Sequence, residues 1–229
     1  MFLAVVFCLL PSIIFYLIYI KDSLLKSSIL KISLSWFLGQ YISTLIIYVL
    51  SLLLSLFTFS ILFKASIFLL GFYVLVSIIL FPKLFQLFQQ TRIIFSSGNL
   101  LKIGLIAILL VFSFYLFKIH LSQNNGVIYT SPVFWDFKVH VPIIQNFVFG
   151  DNFPPENVSF SGMPMTYHFF FDLLIAIYSS LGLDLAGSVN FVSTTSFFFM
   201  LLAIIGLSEE LFNSIIIGAI TILLTITSS

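Results

Sequence analysis

SPVFWDFKVHVPIIQNFVFGDNFPPENVSFSGMPMTYHFFFD, Ser131–Asp172, is a polar, turn-rich island between segments that are almost wholly apolar. It carries four of the chain's eight acidic residues and two of its three histidines. The chain as a whole is 61% hydrophobic and 7% charged, so whatever chemistry it performs belongs in this island. The remainder reads as a device that holds the island at a membrane surface.

Outward from the island, the apolar runs are continuous and do not alternate, which indicates helices and not barrel strands. With a mean hydropathy of +1.23, the sequence predicts an all-α, polytopic membrane protein in a lipid bilayer. About seven spans follow from runs near the 20 residues that cross a bilayer core. They are Met1–Ile20, Ile32–Phe63, Ala65–Phe81, Ile103–Ile119, Phe169–Leu183, Val189–Leu207 and a short Ile215–Ile226. Met1–Ile20 lacks a basic leader and a cleavage site, so it reads as a span and not a signal peptide. Pro82 and Lys83 are expected to end the third span, and Leu84–Asn99 reads as an interfacial helix or a connecting loop.

Lys21, Lys26 and Lys31 flank the first connection, and Lys83, Arg92 and Lys102 flank the third. The positive-inside rule makes both cytoplasmic. Four spans then place the N-terminus and the long loop 120–167 on the extracytoplasmic face. The chain reads as one membrane domain, residues 1–229, in which 1–102 contribute spans ahead of the island. It stops at Ser229 directly after a short span, which suggests the front part of a larger protein. The net charge of +1 gives no basis for nucleic-acid binding. Cys8 stands alone in an apolar run and implies no disulfide. Nothing in the sequence specifies an oligomeric state.

Within the island, Trp135 and Tyr167 bracket the loop as amphipathic aromatics at headgroup level. Val141–Phe149, opened by Pro142 and stopped by Gly150, reads as an amphipathic helix. Asp151, Asn152, Pro154 and Pro155 form a turn, and Asp151 taken alone is a turn residue before it is a catalyst. Asp136 and His140 are four apart, as are His168 and Asp172, so on helices each pair shares a face. His with carboxylate is a ligand set for a divalent metal, which makes these four the candidate metal residues. Asp172 lies a turn inside an apolar run, where a charge is expensive and calls for a function or a buried partner such as Tyr167 or His168. Asn157-Val158-Ser159 is a glycosylation sequon. Glu209 and Glu210 read as capping groups at the start of the last span.

FWDFKVH, PIIQNFVFGD, GMPMTYHFFFD and LGLDLAGSVNFVS, taken in that order, resemble the membrane glycosyltransferases of the GT-C fold. The likeness covers 103–207. It implies transfer of a sugar from a polyprenyl-phosphate donor to an extracytoplasmic acceptor, with Asp136 at the position of the catalytic acidic residue. Phe137 stands where many members carry a second one. Under this resemblance Asp136, with Asp151 as the second candidate, is the catalytic carboxylate. His140, Lys138, Tyr167, His168 and Asp172 are expected to hold the donor phosphate or orient the base. Two other classes stay open: a noncatalytic assembly subunit, and a transporter or flippase component with Asp172 and His168 as an intramembrane ion site.

Overall fold

A computed structural model describes residues 1–57, 60–90, 97–118, 121–124, 127–130 and 134–227. Its helices are α1 (Phe2–Phe15, continued by a π turn, Tyr16–Ile20), α2 (Ser28–Leu54), α3 (Ile61–Gln90), α4 (Ser97–Phe117), α5 (Phe134–Phe149), α6 (Phe170–Ser180), α7 (Leu185–Phe212) and α8 (Ile215–Thr227). Two antiparallel hairpins interrupt them, β1 (Leu121–Asn124) with β2 (Val127–Thr130), and β3 (Glu156–Asn157) with β4 (Phe160–Pro164). Among the described residues, five helices are long and apolar enough to cross a membrane: α1 with its π turn, α2, α3, α4 and α7. The protein is a multi-pass, mostly helical membrane protein. Its outer surfaces fit that setting, because Ile108, Val111, Phe114 and Tyr115 on α4 are exposed where a soluble protein would present charges.

Sequence expectation and structure part at several boundaries. Ser27 caps α2 by accepting the Leu30 N–H, so this helix begins four residues before the apolar run and ends at Leu54, well short of Phe63. Helix α3 does not stop at Pro82 but carries it inside and runs to Gln90, absorbing much of the segment expected to lie in the interface. Proline removes one backbone donor, a loss carried by a helix whose 30 residues are mostly apolar.

The larger correction concerns α6. It has 11 residues, about 16 Å at 1.5 Å per residue, against a hydrocarbon core of about 30 Å. Three tethers show that it does not carry the chain across. Near the start of α7, the Asn190 amide accepts from Leu121 N and donates to the carbonyls of Leu121 and Lys118, at the far end of α4. At the end of α7, Glu209 pairs with Lys102 at the start of α4. The Glu210 carboxylate accepts from the backbone N–H groups of Lys26 and Ser27, both at 2.8 Å, where α2 begins. Helix α7 is therefore antiparallel to α4 along its full length, and it begins on the island's side. The Met1 ammonium donates to the Gly182 carbonyl at 3.0 Å in the α6–α7 turn, which puts the N-terminus on that side too. Glu209 and Glu210 do serve the start of a helix, but it is α2 from across the bundle, where Glu209 also accepts from the Ser27 hydroxyl at 2.6 Å, and not the last one.

The long helices approach closely where glycine permits. A Cβ on Gly39 would lie 2.8 Å from Ser12 N of α1, and one on Gly206 would lie 2.4 Å from Leu30 N of α2. Small residues at such crossings let backbones touch, which is how helices gain packing energy in lipid. A buried polar link runs through the middle of this core. Gln40 of α2 donates to the Cys8 carbonyl of α1 and accepts from the Tyr178 hydroxyl of α6, at 3.1 and 2.7 Å.

Candidate functional site

Helix α5 begins at Phe134, eight residues ahead of Pro142, which lies inside it. The start of the island is thus already helical, and Asp136, Lys138 and His140 ride on one element. Asp136 stands four residues, or about one turn, before His140. The side chain of Asp136 lies outside the described residues, as does that of Trp135. Lys138, exposed, is two residues from His140 and so about 200° around the helix from it.

His140 meets Asp172 across the α5–α6 contact. Its Nδ1 is 2.8 Å from Oδ1 and 3.1 Å from Oδ2 of that carboxylate. Asp172 is wholly buried in the first turn of α6, while the His140 side chain keeps 23% of its surface. The first turn of a helix suits a carboxylate because its N–H groups carry partial positive charge. With Nδ1 engaged, His140 has Nε2 left as its working nitrogen, an arrangement in which a carboxylate sets the ring's tautomer and orientation. Tyr167 lies 5.7 Å from the His140 ring, centroid to centroid, and stacks at 4.0 Å on His168. Tyr167 and His168 are both exposed.

The structure therefore brings His140, Asp172, Tyr167 and His168 together where α5 meets α6. The partner of Asp172 is His140, 32 residues away, and neither of the neighbours expected from spacing. His168 precedes α6, so the spacing of four from His168 to Asp172 does not place them on one helical face. Among the described residues no three His, Cys, Asp or Glu side chains approach closely enough to hold a metal ion. His140 and Asp172 supply two donors, already bonded to each other.

Asp151 lies elsewhere. It sits past the end of α5, which itself runs about 14 Å beyond His140. Its backbone is left-handed (φ 47°). Both carboxylate oxygens are occupied by the N–H groups of Ser60 and Ile61, at 2.9 and 2.8 Å. Asp151 thus caps α3 from another part of the chain, while its own turn uses its backbone carbonyl, which accepts the Phe153 N–H at 2.8 Å. The next residues close the turn: the Asn152 amide donates to the Glu156 carbonyl and accepts from the Glu156 N–H. Asn157 of the sequon lies at the end of β3, its Oδ1 accepting the Ser159 N–H at 2.9 Å.

Several positions that organise this region carry little signal in the sequence. Asn190 and Gln40 lie inside long, mostly apolar helices, and nothing in their local sequence announces the partners they find. Gln145 and Ser179 line a cavity of about 640 Å3 between α3, α5, α6 and α7, and nothing in their local sequence distinguishes them. Compared with known protein families, curated proteins and solved structures, the chain matches none.

Proposed function

We propose that this protein is a membrane-embedded glycosyltransferase of the GT-C type, which moves a sugar from a polyprenyl-phosphate carrier to an acceptor on the extracytoplasmic face. The observation that carries the reading is the His140–Asp172 pair: a half-buried imidazole fixed by a fully buried carboxylate, one helical turn from Asp136. The resemblance of the FWDFKVH and GMPMTYHFFFD segments supplies the reaction class. An extracytoplasmic site follows from the basic residues of the first and third connections.

The chemistry asks little of the protein beyond a base and a phosphate partner. The bond between the sugar's anomeric carbon and the phosphate oxygen breaks as the acceptor oxygen or nitrogen bonds to that carbon. The acceptor's proton passes to the Asp136 carboxylate, and the electron pair of the broken bond stays on the departing phosphate. His140, donating through Nε2, stabilises that charge, and Asp172 balances the imidazolium and holds its ring in place. Tyr167 and His168 border the headgroup, and Lys138 on the same helix adds positive charge at the surface.

The test is transfer of labelled sugar from a polyprenyl-phosphate donor by the purified chain in lipid. Asp136→Asn is expected to lower turnover by about 100- to 10,000-fold, the usual worth of general-base assistance, with donor binding retained. Near-normal turnover in Asp136→Asn, together with normal turnover in His140→Ala, sinks the catalytic assignment and leaves the assembly-subunit reading.

A further inference from the structure

We propose that the cavity of about 640 Å3 on the island's side is a subsite for a neutral carbohydrate, the acceptor of the transfer. It opens to one side and is bordered by Ser60 and Phe63 at the start of α3, the second half of α5, the end of α6 and the start of α7. The word acceptor rests on the transferase reading; the carbohydrate class rests on the cavity itself.

The lining combines the groups that sugars require. Gln145 and Ser179 are half-buried, and neither side chain makes a hydrogen bond to a described residue. An amide and a hydroxyl held in this state offer both donors and acceptors to a ligand. Asp184 uses Oδ1 to accept the Gly187 N–H at 3.0 Å, leaving its second oxygen to accept from a sugar hydroxyl. The Ser180 hydroxyl donates to Ile177 O at 2.7 Å and keeps its lone pairs. Phe149, 78% exposed, supplies an apolar ring face for the C–H side of a pyranose. A mixed lining with a few convergent polar groups and this volume falls within the range of small-molecule sites.

Charge narrows the class. Among the described residues the lining holds one carboxylate and no lysine, arginine or histidine, so a phosphorylated or acidic ligand would meet repulsion without compensation from them. The Met1 ammonium, close to the turn, is engaged by the Gly182 carbonyl. Position suits an acceptor as well, because Gln145 is five residues from His140 on α5, about 8 Å along the axis. Asp151 holds the wall in place, since the Ser60 N–H it binds belongs to a lining residue.

The experiment uses the full chain in phosphatidylcholine nanodiscs prepared without glycosidic detergent. Saturation-transfer NMR is recorded with maltose, cellobiose, mannobiose and diacetylchitobiose, each free and as its octyl glycoside, with glycerol as reference. At least one sugar should receive saturation from the wild type. Gln145→Ala and Phe149→Ala should each weaken its affinity about 10-fold while the thermal midpoint stays unchanged. Binding of the free sugar points to a soluble or protein-borne acceptor, and binding of the glycoside alone to a lipid-borne one. Saturation of none of the probes, or binding unaltered in both variants, overturns the proposal. Transfer activity separates the two claims. An Asp136-dependent transferase whose acceptor KM is unchanged in Gln145→Ala retains the function and loses the subsite. Gln145-dependent sugar binding without any transfer keeps the subsite and removes the function.

Discussion

Asp172 is the residue whose environment constrains its role most tightly. A carboxylate with no solvent exposure is stable only if paired, and the pairing here is with a ring that remains partly accessible. Asp172→Asn keeps an oxygen to accept from Nδ1 while removing the charge that supports an imidazolium. Expression and folding should therefore persist while transfer falls by about 100-fold. Asp172→Leu leaves His140 without its partner and should also reduce the yield of folded protein. Equal and complete tolerance of both, measured by transfer and by monodisperse yield, would refute any special role for the pair. Asp151 gives the opposite expectation. Its two bonds cap α3, so Asp151→Ala should lower stability by about 1 kcal/mol, as lost caps generally do. It should leave turnover within a few fold of normal, read as a thermal midpoint beside an activity measurement. A dead but fully stable Asp151→Ala would return this residue to the catalytic list.

At the scale of elements, the bundle depends on helices that touch at glycine. The Cβ of Gly39→Ala would lie within 3 Å of backbone atoms of Pro11 and Ser12, while Gly71 on α3 has nothing within 4 Å of its own Cβ position. Backbone cannot yield as a flexible side chain does, so α1 and α2 must separate. The cost of such overpacking is typically about 1–3 kcal/mol. Gly39→Ala should accordingly lower the thermal midpoint in detergent, and Gly71→Ala should not. A matched response of the two variants would show that the α1–α2 contact does not limit stability. Helix α6 is the element that most affects function, because its shortness keeps both its ends within reach of the island. One end presents Asp172 to His140, and the other closes the cavity with Ser179 and Ser180.

For the whole molecule, the tethers of α7 make a prediction about sides. Leu24, in the α1–α2 connection, and Phe212, at the end of α7, belong to one face, and Val158 in the island belongs to the other. In a Cys8→Ser background, Val158→Cys should react with an impermeant thiol reagent added outside intact cells. Leu24→Cys and Phe212→Cys should not. Labelling of Phe212→Cys together with Val158→Cys would restore a crossing to α6 and break the antiparallel match of α4 and α7. Reaction of Leu24→Cys instead of Val158→Cys would invert the orientation and remove the setting that the proposed donor requires.

What the amino-acid sequence determined by itself is the class, a multi-pass helical membrane protein, and the position of its one long polar island. Long apolar runs have one stable solution in lipid, a helix that satisfies its own backbone, so the long spans were legible from the sequence alone. The polar island was legible for the same reason, since charge and proline cannot be hidden in hydrocarbon without a partner. The hairpins were not legible, because strands of two to five mixed residues carry no period to read. Tertiary structure alone decided which groups meet. Asp172 found His140 and not His168, Asp151 found the first turn of α3, and Glu209 and Glu210 found α2, each across dozens of residues. It also decided that Phe170–Ser180 does not cross. Hydropathy measures how apolar a run is, whereas a crossing depends on helix length and on which end is tied to which face. Those ties are a few hydrogen bonds from Met1, Asn190 and Glu210, and no local pattern in the sequence announces them.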